Sequence, residues 1–126
     1  MKTKIILLII LWFTFLAART CVAAESSVFT DLKNDLRSNL NGMTSQYVLA
    51  AGITLGTANA ILKLNKKKMI YCQPPDLALS LRDYQRITIK GYNKERSHFD
   101  AIEINNPLEA LSMATTLGMV LEYPCY

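Results

Sequence analysis

Histidine is almost missing from this sequence: His98 is the single one, and only three cysteines and five glycines accompany it. Nucleophilic catalysis needs a nucleophile with a base in reach. A lone histidine in a polar stretch is more often a surface residue than such a base. A phosphate-binding loop needs clustered glycines between a strand and a helix, and Gly52 and Gly56 lie instead inside a helical pattern. Acidic residues are present, but no pair, Glu103 and Glu109 included, has spacing diagnostic of glycoside chemistry. The sequence makes no case for an enzyme, and no cofactor is expected. Internal repeats and low-complexity linkers are absent as well.

A basic excess is also missing once the first residues are set aside. The formal net charge is +4, but Lys2, Lys4 and Arg19 fall in a segment that reads as a secretory signal. Lys2 and Lys4 make a short basic start. Ile5 to Ala18 is apolar apart from Thr14, which suits a signal core and falls short of the roughly 20 residues of a membrane span. Val22-Ala23-Ala24 offers small residues for cleavage, so the cut is expected between Ala24 and Glu25. Anchoring through a lipidated Cys21 fits less well, because Arg19 and Thr20 precede it where small uncharged residues are wanted. Residues 1–24 are thus read as signal peptide and 25–126 as one domain. That domain is nearly neutral, which leaves no electrostatic footprint for nucleic acid or an acidic membrane. No stable membrane insertion is expected after cleavage.

A domain of about a hundred residues buries a modest core and gains from a staple. Cys72 and Cys125 remain after cleavage, and in an exported chain they most simply pair with each other. Intermolecular pairing or two free thiols are the alternatives. A bond closing a loop of that length is worth on the order of 4 kcal/mol in the chain-entropy model. With one histidine and a disulfide, no metal site is expected.

Apolar spacing predicts an all-α domain, a small bundle of about four helices. The first covers about Asp31–Leu40, with Phe29, Leu32, Leu36 and Leu40 on one stripe, Thr30 as N-cap and Asn41-Gly42 as terminator. The second runs from about Thr44 or Ser45 to Leu64 and is apolar over most of its girth, which predicts a place in the middle of the bundle. Gly52 and Gly56 share one of its faces and predict close backbone approach by a neighbour. Lys66, Lys67 and Lys68 follow, cations that suit a helix C-terminus or a partner-binding patch. Gln73-Pro74-Pro75 forces an extended connection. A third helix, with an N-cap at Ser80 and Asp83 at N3, carries Leu77, Leu81, Tyr84, Ile87 and Ile89. Gly91 to Asn105 reads as a long polar connection. The last helix begins with Asn106 as N-cap, Pro107 at N1 and Glu109 at N3. Its buried stripe is Leu108, Leu111, Ala114, Leu117 and Leu121, and Pro124 ends it.

An ordered set of motifs runs through the second half of the chain: Gly52-Ile53-Thr54-Leu55-Gly56-Thr57-Ala58-Asn59-Ala60, then Tyr71-Cys72-Gln73-Pro74-Pro75, then Tyr84-Gln85, then Leu121-Glu122-Tyr123-Pro124-Cys125. From about Tyr47 to Tyr126 the chain resembles the Rap/Tai family of type VI secretion immunity proteins. It departs from the family in the length and charge of the Tyr92–Asn105 connection and in the residues before Tyr47. The resemblance implies a small helical periplasmic protein that binds a peptidoglycan-cleaving toxin and blocks its active site, with self-association common. It marks a scaffold and transfers no list of toxin-contacting residues. Candidate contacts are chosen on residue type alone: Tyr92, Arg96, His98 and Phe99 as anchors in the long connection, and Lys66, Lys67 and Lys68 as steering charges. Two other readings fit an exported, stapled helical domain: an acid-stress chaperone of the HdeA type, and a non-catalytic periplasmic adaptor.

Overall fold

A computed structural model of the chain describes residues 27–126. The expected signal segment, Cys21 and the cut between Ala24 and Glu25 lie outside the described residues. Among the described residues there are five α-helices and no strand: α1 (Val28–Ser38), α2 (Met43–Leu64), α3 (Leu81–Lys94), α4 (Arg96–Glu103) and α5 (Pro107–Glu122).

The helix starts follow local chemistry in two cases and tertiary chemistry in a third. At α3 the Ser80 hydroxyl accepts from the Asp83 amide while the Asp83 carboxylate accepts from the Ser80 amide, a complete capping box. At α5 the Asn106 side chain accepts from the Glu109 amide, with Pro107 in the first turn. The expected Thr30 cap of α1 is not used. The helix begins at Val28, and the Glu103 carboxylate, 75 residues away, accepts from the Val28 amide and the Ser27 hydroxyl. A distant carboxylate thus supplies the acceptor that a local cap would have provided, and Thr30 falls inside the helix. Asn39, not the Asn41-Gly42 pair, closes α1, with a left-handed φ of 58°.

The centre of the bundle is the α3–α5 crossing. A Cβ placed on Gly91 would lie 2.0 Å from the Ala114 carbonyl oxygen, and one on Gly118 would lie 2.0 Å from the Ile87 carbonyl oxygen. The two backbones therefore touch through a pair of glycines, one on each helix. Beside the crossing, the buried Thr88 and Thr115 hydroxyls bond each other at 2.8 Å, and Thr115 also donates to the Leu111 carbonyl. The β-branched Ile87-Thr88-Ile89 run stays helical because each of these side chains packs against the bundle or is hydrogen-bonded there.

Three sequence expectations are corrected here. Gly91 is the contact point of α3, not its end, and the helix runs on to Lys94. The connection expected over Gly91–Asn105 is mostly helical, with α4 following after a single break at Glu95. The helix count is accordingly five, within the all-α class that was expected. Finally, α2 is not the central helix: only Ser45, Val48, Gly52 and Asn59 are buried in it, while α3 and α5 occupy the middle.

One cluster packs Phe29, Leu32, Val48, Tyr92, Phe99, Ala110, Leu111 and Ala114, and a second packs Tyr71, Ile87 and Met119. Leu108, expected in the α5 core stripe, is half exposed, as is Leu77 ahead of α3. A buried polar chain ties three helices together. Gln85 donates to the Ser45 hydroxyl at 2.7 Å, and Ser45 donates to Asp35 at 2.5 Å.

The far end of the α3–α5 pair is held by Glu122, which accepts from Lys90 at 2.6 Å and from Arg86 at 3.2 Å. The Lys90 hydrogen bond, helped by Arg86, holds the Glu122 carboxyl below its ordinary value. Its contribution to folding is therefore present above the unfolded carboxylate range and lost as pH falls through the folded value. Glu122→Gln is expected to lower stability at neutral pH by about 0.5–1 kcal/mol. The difference from the parent should shrink at acid pH. Denaturant titrations at both pH values check this, and a constant difference would contradict it.

Candidate functional site

The residues that carry the motif order converge on one piece of the fold. Tyr71, Cys72 and Gln73 follow α2 outside any helix, and the buried Asn59 of α2 holds the backbone at Ile70 and Tyr71. Its Oδ1 accepts from the Ile70 amide at 2.7 Å, and its Nδ2 donates to the Tyr71 carbonyl at 2.8 Å. An asparagine suits this position because one side chain offers both an acceptor and a donor to a backbone segment that lies outside any helix or sheet. The Cys72 amide then donates to the Tyr123 carbonyl at 2.7 Å, and Cys72 bonds Cys125, so the segment is also tied to the end of α5. The intramolecular pairing expected from the two cysteines is the one observed.

Gly52 and Gly56 face this region, but side chains lie against them rather than backbone. A Cβ on Gly52 would meet the Tyr84 ring at 2.2 Å, and one on Gly56 would lie 3.4 Å from the Tyr71 hydroxyl. The expectation of close backbone approach on that face is thus corrected: the backbone contact belongs to Gly91 and Gly118. Burial pushes the Tyr71 and Tyr84 hydroxyls above the ordinary tyrosine value, Tyr71 further through its charge coupling to Tyr84. The two glycines should respond in opposite directions to alanine. Gly56→Ala is expected to stabilise by up to about 1 kcal/mol through helix propensity. Gly52→Ala must displace the Tyr84 ring and is expected to cost roughly 1–3 kcal/mol. Thermal melts of the two variants decide it.

The candidate contact residues divide sharply. Tyr92 and Phe99, expected as exposed anchors, are core residues. Tyr92 stacks on Phe29 with ring centroids 4.0 Å apart, and Phe99 sits 6.0 Å from Phe29. The Tyr92 hydroxyl donates to Asp100 at 2.7 Å; burial first, and that carboxylate second, raise its pKa. Lys33 and Arg96 sit over its ring. Arg96 and His98 do lie on the surface: Arg96 pairs with Asp100 at 3.8 Å, and His98 meets the edge of Phe99. The α4 surface therefore presents cationic and polar tips over an aromatic core.

Lys66, Lys67 and Lys68 are exposed. The first two also build the end of α2. The Lys66 amide donates to the Lys63 carbonyl, the Lys67 amide donates to the Leu62 carbonyl, and Lys66 holds a left-handed φ of 55°. That is the Schellman arrangement. Lys66→Gly is expected to stabilise by about 0.5–1 kcal/mol, since glycine carries no steric penalty at positive φ. A raised thermal midpoint checks this.

Of the carboxylates weighed for chemistry, Glu103 caps α1, and Glu109 accepts from the side-chain amide of Asn106, the cap of α5. Among the described residues no group of three or more His, Cys, Asp or Glu is placed to hold a metal ion.

Exposed apolar side chains, Met43, Tyr47, Ile53, Ile61 and Leu64, run the length of α2. Tyr47, Ala50, Ala51, Thr54, Leu55 and Ala58 form one wall of an open groove of about 450 Å³, with Leu108, Leu111, Ser112 and Thr116 of α5 opposite. By length and composition, α2 is the one helix among the described residues apolar enough to cross a membrane, yet its Val48, Gly52 and Asn59 are packed into the bundle. Sequence reasoning missed this surface because it assigned α2 to the interior. The absence of any charge from Met43 to Leu62 was the available signal. Comparison with family models, with characterised proteins and with solved structures finds no match to this chain.

Proposed function

We propose that this chain is a periplasmic immunity protein that binds a peptidoglycan-cleaving toxin delivered by type VI secretion and blocks its active site, without turning over a substrate. The observation that supports the reading is the convergence of the motif residues. The Gly52 helix, the Tyr71-Cys72-Gln73 step, Tyr84 and the Tyr123-Pro124-Cys125 ending are far apart in sequence. In the fold they form one pinned unit through Asn59, the disulfide and the Cys72–Tyr123 hydrogen bond. A resemblance carried by scattered residues gains weight when those residues support one another physically.

A rigid scaffold suits inhibition by occupancy, because little ordering entropy is then lost on binding. With Tyr92 and Phe99 in the core, the proposed contact set is reduced to Arg96 and His98 on α4 and to the Lys66–Lys68 run. The lysines would act on association rate more than on affinity.

Co-expression tests the proposal. The full-length chain should rescue cells from a cognate toxin sent to the periplasm, and a version lacking residues 1–24 should not, because it never meets the toxin. If both versions leave the cells equally sensitive, and the purified proteins do not associate at micromolar concentration, the immunity reading is wrong. Suppression of client aggregation in strong acid and not at neutral pH would instead favour the acid-chaperone reading.

A further inference from the structure

The domain is nearly neutral as a whole, but its charge is unevenly placed along α2. From Met43 to Leu62 the helix carries no charge at all. Lys63 then stands in its last turn, and Lys66, Lys67 and Lys68 follow at once. All four are exposed, and none takes part in an ion pair among the described residues. The start of α2 has no such excess. There α1 brings Asp31 and Asp35, but Lys33 and Arg37 with them.

The lysines continue an exposed apolar strip. Over the 22 residues of α2 it is about 33 Å long. Its ends stand well clear of the bundle, Met43 73 % exposed and Leu64, among the lysines, 83 % exposed. Across the groove the α5 wall, Leu108, Leu111, Ser112 and Thr116, is uncharged as well. An exposed apolar strip of this length on a small domain marks an interaction surface.

The strip is ready for an apolar medium. The Thr54 hydroxyl donates to the Ala50 carbonyl at 2.8 Å, and the Thr57 hydroxyl donates to the Ile53 carbonyl at 3.0 Å. Both threonines use their donors within the helix, so covering them strands no hydroxyl proton.

Charge complementarity indicates the occupant. A protein partner would have to present carboxylates matched to four lysines at one end of the strip. A bilayer of anionic phospholipids presents phosphate groups everywhere along its surface, with an acyl layer just beneath. Lysine stems can lie along apolar surface while their ammonium groups stay at headgroup level, and each cation near an anionic surface adds to binding. Because Val48, Gly52 and Asn59 are packed into the bundle, α2 can meet lipid only by its outer side. It would lie flat in the interface, as amphipathic surface helices do.

From this juxtaposition we propose that the Met43–Leu64 strip, with Lys63 and Lys66–Lys68 at its end, docks the domain flat on an anionic phospholipid bilayer. Docking holds the domain at a membrane surface without any segment crossing it. The proposal does not rest on the immunity reading, and its readout is lipid binding alone.

Co-sedimentation with vesicles tests it on residues 25–126, which contain the whole described bundle and leave out the apolar run from Ile5 to Ala18. This domain should sediment with vesicles of phosphatidylethanolamine and phosphatidylglycerol, and roughly tenfold less with phosphatidylcholine alone. High salt should weaken the binding. Lys67→Gln/Lys68→Gln should weaken it by roughly tenfold, and Ile61→Glu, at an exposed position of the strip, by a similar factor. Both variants should keep the parent's thermal midpoint. Ile104→Glu, at an exposed apolar site outside α2, should bind as the parent does. An environment-sensitive dye on Thr54→Cys, the single free thiol once Cys72 and Cys125 are paired, should shift its emission to the blue on anionic vesicles. A domain that stays in the supernatant with anionic vesicles overturns the proposal. So does equal binding to the neutral vesicles, or binding that neither variant reduces. A domain of twice the chain mass by light scattering that does not sediment overturns it in favour of a second copy on the strip.

Discussion

Replacing Cys72 with serine is expected to lower the stability of this domain by about 2–5 kcal/mol. Domains of this size have about 5–15 kcal/mol in total, so the loss is a large part of it. The bond links residues 53 apart and ties the Tyr71-Cys72-Gln73 segment covalently to the end of α5. Without it, Tyr123–Tyr126 is left with two backbone bonds, Tyr123 to the Met119 carbonyl and Cys72 to the Tyr123 carbonyl, and with the Tyr123 contact with the Tyr71 cluster. Urea titration of Cys72→Ser and of the Cys72→Ser/Cys125→Ser double variant should give the same midpoint, well below the parent. If the double variant matches the parent, the disulfide is not what holds the step. Mass spectrometry of the unreduced parent should show a Cys72–Cys125 peptide and the loss of two hydrogens.

Alanine at position 91 should have the second large effect. Helix propensity alone would make Gly91→Ala stabilising by up to about 1 kcal/mol. The new Cβ, however, would meet the Ala114 carbonyl oxygen at 2.0 Å and the Gly118 amide nitrogen at 2.7 Å. These are backbone atoms, which cannot swing aside as a side chain would. Separation of α3 from α5 is the only relief, and it would break the Thr88–Thr115 hydrogen bond and open the core around Ile87. The expected net cost is about 1–3 kcal/mol or somewhat more, a drop in midpoint of roughly 5–20 °C for a domain of this length. Gly118→Ala should behave alike, since its Cβ would meet the Ile87 carbonyl. An unchanged or raised midpoint for either variant would mean that the helices are not in backbone contact.

These glycines show where sequence reading reaches its limit. Gly91 has the composition of a helix stop, with polar residues after it, and nothing local distinguishes a stop from a crossing point. What decides is that Gly118, 27 residues on, meets the same crossing from the other helix. The same holds for Tyr92 and Phe99. Their sequence neighbours are charged and suggest a surface loop, but Phe29 supplies a ring for both to pack against. The start of α1 is a further case, because its cap comes from Glu103 across the fold.

The candidate surface on α2 was half legible. The uncharged run from Met43 to Leu62 is plain in the sequence, but such a run describes a buried helix and an interface helix equally well. Only the placement of α3 and α5 at the centre leaves one side of α2 without a partner within the chain.

The sequence by itself determined the all-α class, the starts of α3 and α5, and the pairing of Cys72 with Cys125. Each of these rests on interactions within a few residues, or on a choice with a single simple solution, and such information is local. Tertiary structure alone decided which helix is central, which glycines bring backbones together, that Tyr92 and Phe99 are core, and that the Met43–Leu64 strip is exposed. Those outcomes depend on contacts between residues tens of positions apart, and whether an apolar side chain is covered depends on which helix arrives at its face.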